Sequence, residues 1–432
     1  MKMLSIVGCS ARKALIALPI VATTAVVLTA CGSDITGSAA AGEIDIRKLS
    51  VGNYSTDPLD VRSTYSRSVW DGKELAMARL GDAVAIGADV DPRFAYGVVA
   101  EALPTPLHTT DVLAAAVKPI MESNNFMFGF TASASTHPLV DTVFYDHSGN
   151  FKPFGGADTN PEATSFNVTV LQFPDESRAR AAGEQIEAAD FAIAADQNTH
   201  ITLDGRPGAR AHWRPGVASM TATLVDGQYV VNVFVQQPKP ELATLKTLAE
   251  QVFTAQLPLL AQSPPLNARD SLRQDYDPDG LLRRTLHKSE FATPDANDEA
   301  SRTPRGWLHF VADQRTWKQL LDKAGVDRIA TTTEGALMFR TRDADSAAAL
   351  WSDINALMPK TVEAPPNTRD VACVENPKPK SGGFSSAWDA KDRFLCTIRY
   401  DRYVARVASS TLSDVHQRAA AQYALLAKSQ YL

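Results

Sequence analysis

The chain carries one order of elements twice. Phe166 to Phe173 reads as a strand, and Pro174-Asp175 then opens a helix with the apolar stripe Ala179, Ala182, Ile186 and Ala189. In the second half Ala336 to Arg340 is the strand and Asp343 opens the helix. Its stripe is Ala347, Leu350, Ile354 and Leu357, each member 168 residues on. Steps of three and four place each set on one helix face. Met220 to Val225 and Gln228 to Val235, around Asp226-Gly227, make a tight hairpin pattern. Phe394 to Arg399 and Tyr403 to Val407, with Asp401-Arg402 near the turn, are its counterpart. A closing stripe of Leu242, Leu245, Ala249 and Phe253 returns 170 residues later as Leu412, Val415, Ala419 and Tyr423.

This repetition predicts an α+β fold of two related domains, each an antiparallel sheet with helices packed on one face. The first domain is expected over 44–262 and the second over 305–432. Residues 263–304 read as a linker. Ser263-Pro264-Pro265 opens it, and Thr293 to Pro304 is polar and lacks apolar periodicity. One short helical turn is expected in it near Leu281 and Leu282. Before the first repeat, helices are expected at Lys73 to Leu80, stopped by Gly81, and at Asp111 to Met121.

The N-terminus reads as an export signal. Lys2, Arg12 and Lys13 form a basic region, Ala14 to Leu28 an apolar one, and Leu28-Thr29-Ala30-Cys31 matches a bacterial lipobox. As a helix the apolar stretch would span about 22 Å, short of the roughly 30 Å hydrocarbon core, so it reads as processed. Residues 1–30 are the expected signal peptide and 31–43 a flexible Gly/Ser/Ala tether. Cys31 is the expected lipidation site, carrying diacylglycerol and palmitate. Two acyl chains hold a protein where one does not. The address is the outer face of the cytoplasmic membrane. Removing 1–30 leaves 402 residues and takes three basic and no acidic residues, moving the formal charge from −6 to −9. That balance gives no electrostatic reason to bind nucleic acid.

Past the lipobox only Cys373 and Cys396 remain, and in an oxidising compartment they are expected to pair. Free buried thiols are the alternative reading, with metal or redox chemistry behind it. No second Cys or His lies within two to five residues of either, as a zinc site needs.

Catalytic signatures are missing. Asp275-Tyr276-Asp277-Pro278-Asp279-Gly280 matches the first half of an EF-hand loop, but position twelve is Leu286, which has no oxygen to give. It reads as a polar turn that would hold calcium only with acidic ligands from elsewhere. The eight histidines (108, 137, 147, 200, 212, 287, 309 and 416) form no His-x-x-x-His pair. Gly-x-Ser-x-Gly and Gly-x-Gly-x-x-Gly are both absent, and Gly383-Phe384-Ser385-Ser386 lacks the elbow spacing. Trp317 and Trp351 fall on amphipathic helices and read as core, whereas Trp213 and Trp388 lie near loops. No catalytic, cofactor-binding or metal residue is therefore assigned, and no cofactor is expected.

Leu49-Ser50-Val51-Gly52-Asn53-Tyr54 followed by Pro58, Asp91-Pro92, and Asp277 to Leu286 resemble recurring stretches of a family of actinobacterial two-domain lipoproteins of uncharacterised function. The resemblance covers nearly all of the chain after the signal. It implies an envelope location and two related domains, a tyrosine opening a strand at Tyr54, and an inter-domain turn at 277–286. It carries over no activity. The expected function is a non-enzymatic binding or scaffolding module of the envelope, held to the membrane by lipid on Cys31. Its ligand (envelope protein, glycan or lipid) is not specified by the sequence. A hydrolase whose triad is not visible in sequence is the first alternative. A solute-binding lipoprotein of a transporter is the second.

Overall fold

The computed structural model describes residues 44–138, 160–288, 291–333, 336–357, 360–375 and 392–429. The expected signal, tether and Cys31 lie outside them, as do His147, Gly383 to Ser386 and Trp388. The first sheet is built from β1 (Tyr96–Leu103), β2 (Phe128–Ser135), β3 (Ser165–Gln172), β4 (Thr199–Ile201), β5 (Arg210–Trp213), β6 (Ser219–Asp226) and β7 (Tyr229–Gln236). The second uses β8 (Ala300–Arg302), β9 (Arg328–Thr331), β10 (Ala336–Arg340), β11 (Thr361–Val362), β12 (Val371–Glu375), β13 (Phe394–Tyr400) and β14 (Tyr403–Ser409).

Both sheets are antiparallel throughout and share one topology. The first runs β1-β2-β3-β7-β6-β5-β4 and the second, read from its other end, β8-β9-β10-β14-β13-β12-β11. The duplication in the sequence is thus a duplication of the fold. The hairpins also correspond. Asp226 pairs with Tyr229 across Gly227-Gln228, and Tyr400 pairs with Tyr403 across Asp401-Arg402. The first turn sits one residue later than Asp226-Gly227, because the left-handed residue each turn requires is Gly227 (φ 58°) and Asp401 (φ 48°).

One expectation is corrected. The helices of each domain cover both faces of its sheet, not one. In the first domain Phe166, Val168 and Val170 of β3 and Val231, Val233 and Val235 of β7 form one core with Leu245, Ala249, Val252 and Phe253 of the Leu242–Ala261 helix. Leu171 and Val230, on the opposite face, pack with Ala179, Ala182 and Ile186 of the Glu176–Ala192 helix. The second domain repeats this. Met338, Ala405 and Val407 meet Val415 and Ala419 of the Leu412–Lys428 helix, and Leu337, Phe339 and Val404 meet Ala347, Leu350 and Ile354 of the Ala344–Ala356 helix. Every residue of β3 is buried, so its alternation separates two buried faces and not a core from solvent. Leu357, the last member of its stripe, lies just past the helix and is exposed.

The 263–304 stretch is packed against both domains, with Leu266, Ala296 and Ala300 on the first core and its 276–292 part on the second. Tyr276, Leu281, Leu282 and Leu286 are buried in the second core, with the short turn at Leu282–Arg284. Gln422 of the C-terminal helix clamps it, accepting from Leu286 N at 2.8 Å and donating to Arg284 O at 2.9 Å. Ala300–Arg302, at its end, is already strand β8. Tyr54 opens no strand. Its hydroxyl donates to Asp414 at 2.7 Å, and Ile44, Ile46 and Val51 pack on the second core. The helix expected at Asp111 to Met121 is two 3-10 turns followed by Lys118–Ser123, where Pro119 fits only the first turn of a helix. Cys373 and Cys396 are directly opposed on β12 and β13 and joined by a disulfide (S–S 2.00 Å). No described helix is long and apolar enough to cross a membrane.

Candidate functional site

The calcium-like turn is spoken for. Asp277 accepts from the amides of Leu282 (2.8 Å) and Arg283 (3.1 Å) and pairs with the Arg283 guanidinium. Asp279 pairs with Arg328 at 2.9 Å, and Asp275 with Arg67 at 2.9 Å. Its carboxylates cap a turn and tie segments together. Among the described residues no three His, Cys, Asp or Glu groups are placed to hold a metal ion. A cavity of about 280 Å³ beside this turn is lined by the Asp279–Arg328 pair and Asp275, with Asp82 (hydrogen-bonded to Thr303) in its wall.

A second cavity, of about 240 Å³, is different. It lies in the first domain, where the sheet face under the Glu176–Ala192 helix turns polar. In β3 the residues alternating with Phe166, Val168 and Val170 are Asn167 and Thr169, and β7 presents Asn232 on the same face. All three are buried. Thr131 of β2 completes a ring. Its hydroxyl lies 2.8 Å from that of Thr169 and accepts from Asn167 Nδ2 at 3.0 Å, while Thr169 donates to Asn167 Oδ1 at 3.0 Å. Asn232 donates to Thr223 at 2.9 Å, and no described residue donates to its Oδ1.

The walls carry acid. Asp190 stands one helical turn after Ile186, and both line the cavity. Asp111, from the His108–Asp111 turn, enters from another segment with Val112, Leu113 and Val117. The Asp111 carboxylate makes no hydrogen bond or ion pair to a described residue. Burial pushes the neighbouring Glu101 up to about 7, and the Asp111 charge adds to this. Burial likewise raises Asp190. Behind Asp190, His212 of β5 hydrogen-bonds Glu187 at 2.8 Å through Nδ1, with Nε2 3.7 Å from Asp190. Burial pulls His212 down, but the hydrogen bond and charge of Glu187 and the charge of Asp190 outweigh it and hold the imidazole above its ordinary value. Glu187 Oε2 is buried and has no hydrogen-bond partner among the described residues.

The second domain shows what this face becomes when it is filled. Counting from the matched hairpin turns, Asn232 corresponds to Arg406, each the fourth residue of its strand. Asn232 pairs with Thr169 and Thr223, and Arg406 with Leu337 and Thr397. Arg406 is buried beneath the Trp317 ring at 5.3 Å, and Trp317 stacks on Phe339 at 5.8 Å. Trp317 and Trp351 are both part of that packing, as expected. An indole and a guanidinium thus occupy the face whose counterpart in the first domain borders a cavity.

Sequence patterning marks Ile186 and Asp111 of the lining only as helix positions, and His212, behind Asp190, only as an ordinary histidine. The available signal was the polar interruption of apolar strands: Asn167 and Thr169 among valines, and Asn232 inside Tyr229-Val230-Val231-Asn232-Val233.

Among curated proteins there is no match. Among solved structures the chain is similar to the crystal structure of the extracellular domain of PknH from Mycobacterium tuberculosis. The identity is 13% and the TM-score 0.21, over 36% of this chain and 76% of that one. Residues 63–275 match the N-terminal domain of unknown function DUF7373, and residues 281–429 match its C-terminal domain. The boundary between the two matches falls inside the turn that carries Asp277 and Asp279, and each match holds one complete sheet, β1 to β7 in the first and β8 to β14 in the second. With both domains present in order, the chain belongs to the DUF7373 family, whose function is unknown.

Proposed function

We propose that this chain is a lipid-anchored binding protein of the cell envelope whose first domain takes a small polar ligand into the Asn167–Asn232–Asp190 cavity. One observation carries the reading. A buried hydrogen-bonding floor borders an open cavity in one domain, while its counterpart in the other is packed with Trp317 and Arg406. Buried polar groups destabilise a fold unless they are satisfied, and a ligand or ordered water satisfies them. The chemistry is that of binding. His212 hydrogen-bonds Glu187 through Nδ1 and has Asp190 3.7 Å from Nε2, so its ring is committed to these two carboxylates and is not a free base.

Thermal melting in the presence of sugars, amino acids, amines and carboxylates tests the site. The wild type is compared with Ala114→Trp, which fills the cavity from its wall. At least one compound class should raise the melting temperature of the wild type and leave the variant unmoved. If no compound distinguishes the two proteins, the binding reading is wrong. The anchor is tested separately, by incorporation of labelled palmitate into the wild type and its loss in Cys31→Ala.

A further inference from the structure

We infer that the first-domain cavity is a receptor site for a small organic ammonium ion, about the size of a short alkylamine. This rests on the cavity being a binding site and adds the charge of its occupant. The cavity wall has two carboxylates, Asp111 and Asp190, and no Lys or Arg. Asp111 has no cation or donor among the described residues, and Glu101 stands beside it. Glu187 Oε2, behind Asp190, is a buried acceptor without a donor among the described residues, and no described residue donates to Oδ1 of Asn232 on the floor, in a residue only 4% exposed. The His212 imidazole behind them is already shared by Glu187 and Asp190. The site therefore has a surplus of acceptors and of negative charge. An ammonium supplies three N–H donors, no acceptor and one positive charge. Val112, Leu113 and Ile186 give its alkyl part an apolar wall. A bare metal ion would have no use for that wall.

Calorimetric titration of the full-length protein in detergent tests this with n-butylammonium, its neutral isostere n-butanol, and butyrate. Butylammonium should bind at least tenfold more tightly than either of the others. Asp111→Asn should weaken it at least tenfold without lowering the melting temperature, since the carboxylate makes no bond in the fold. Thr221→Val, in the same wall, should weaken it several-fold and serves if Asp111→Asn fails to melt cooperatively. Absence of butylammonium binding, equal binding of butanol or butyrate, or affinity unchanged in these variants would overturn the inference. If a neutral or anionic compound stabilises the wild type but not Ala114→Trp, the cavity remains a binding site and the ammonium assignment alone falls.

Discussion

Acidification should loosen the contact between the two domains at a single imidazole. His309, beyond the packed stretch, is buried against the first domain. Its Nε2 lies 3.1 Å from the carbonyl of Gly81 and its ring 5.5 Å from that of Phe130. Burial pulls its pKa down to about 4, against a partial recovery from the Gly81 carbonyl and the Asp89 charge, with Arg305 acting the other way. The unfolded chain takes up this proton near 6.5, whereas the folded chain does not until about 4. Because the folded value is the lower one, the site's contribution to stability is complete above 6.5 and is lost as pH falls toward 4. At 1.36 kcal/mol per pH unit the loss is roughly 3 kcal/mol. Glu74 (pushed up to about 6 by burial) and Glu101 change with the opposite sign, favouring the folded state as pH falls. The wild-type curve alone therefore mixes the two effects. His309→Gln keeps a donor for Gly81 and does not titrate, so the difference between the two proteins isolates the imidazole. Urea unfolding from pH 7.5 to 4.5 should show the wild type losing about 2–3 kcal/mol more than the variant. Parallel curves would refute the argument.

Other perturbations probe the frame of the fold. Replacing both Cys373 and Cys396 by Ala opens a ring closed over a separation of 23 residues and should cost about 3 kcal/mol; a urea midpoint unmoved by reduction of the wild type would contradict this. Phe253→Ala, fully buried between helix and sheet, should cost about 3–5 kcal/mol by the same measurement. Gly227→Val places a β-branched residue at φ 58° and should cost at least about 1–2 kcal/mol, whereas Gly227→Asp should cost less because Asp401 holds the equivalent position; equal losses would refute the turn equivalence. Asp277→Ala leaves the Leu282 and Arg283 amides without their acceptor and should lower stability by about 2–3 kcal/mol, read as a shift in melting temperature with calcium present or absent making no difference.

The repeat was legible because amphipathic helices leave a spacing rule in the sequence. The stripes from Ala179 to Ile186 and from Ala347 to Ile354 lie on buried faces 168 residues apart. The second helix layer was not legible in the same way. A strand with one face in solvent and a strand between two helix layers can both alternate, and the polar Asn167 and Thr169 of β3 are buried under the second layer. The 263–304 stretch looked like a linker because Tyr276, Leu281, Leu282 and Leu286 anchor it singly, at no helical or strand period. The cavity was the least legible feature. Asn167, Asp190 and Asn232 come from three elements, and only the pairing of β3 with β7 under a helix laid across them brings them together.

Divergence between the two copies gives that cavity its meaning. Duplicated sheets with one topology face the same packing problem twice, and the second copy solves it with Phe339, Trp317 and Trp351 over Leu337. Even there a charge is retained: Arg406 lies under an indole with its pKa pushed down to about 10 by burial, a costly group to keep in a purely structural face. The first copy keeps polarity of the opposite sense, with amides and hydroxyls on the floor and carboxylates on the walls, and leaves space above them. Hydrophobic replacement would be expected to stabilise such a face, which supports reading the polar floor as a contact surface for a bound molecule. The same reasoning makes the second domain the built-in control. Substituting Arg406 should change stability and leave binding in the first domain untouched, whereas Asp111→Asn should do the reverse.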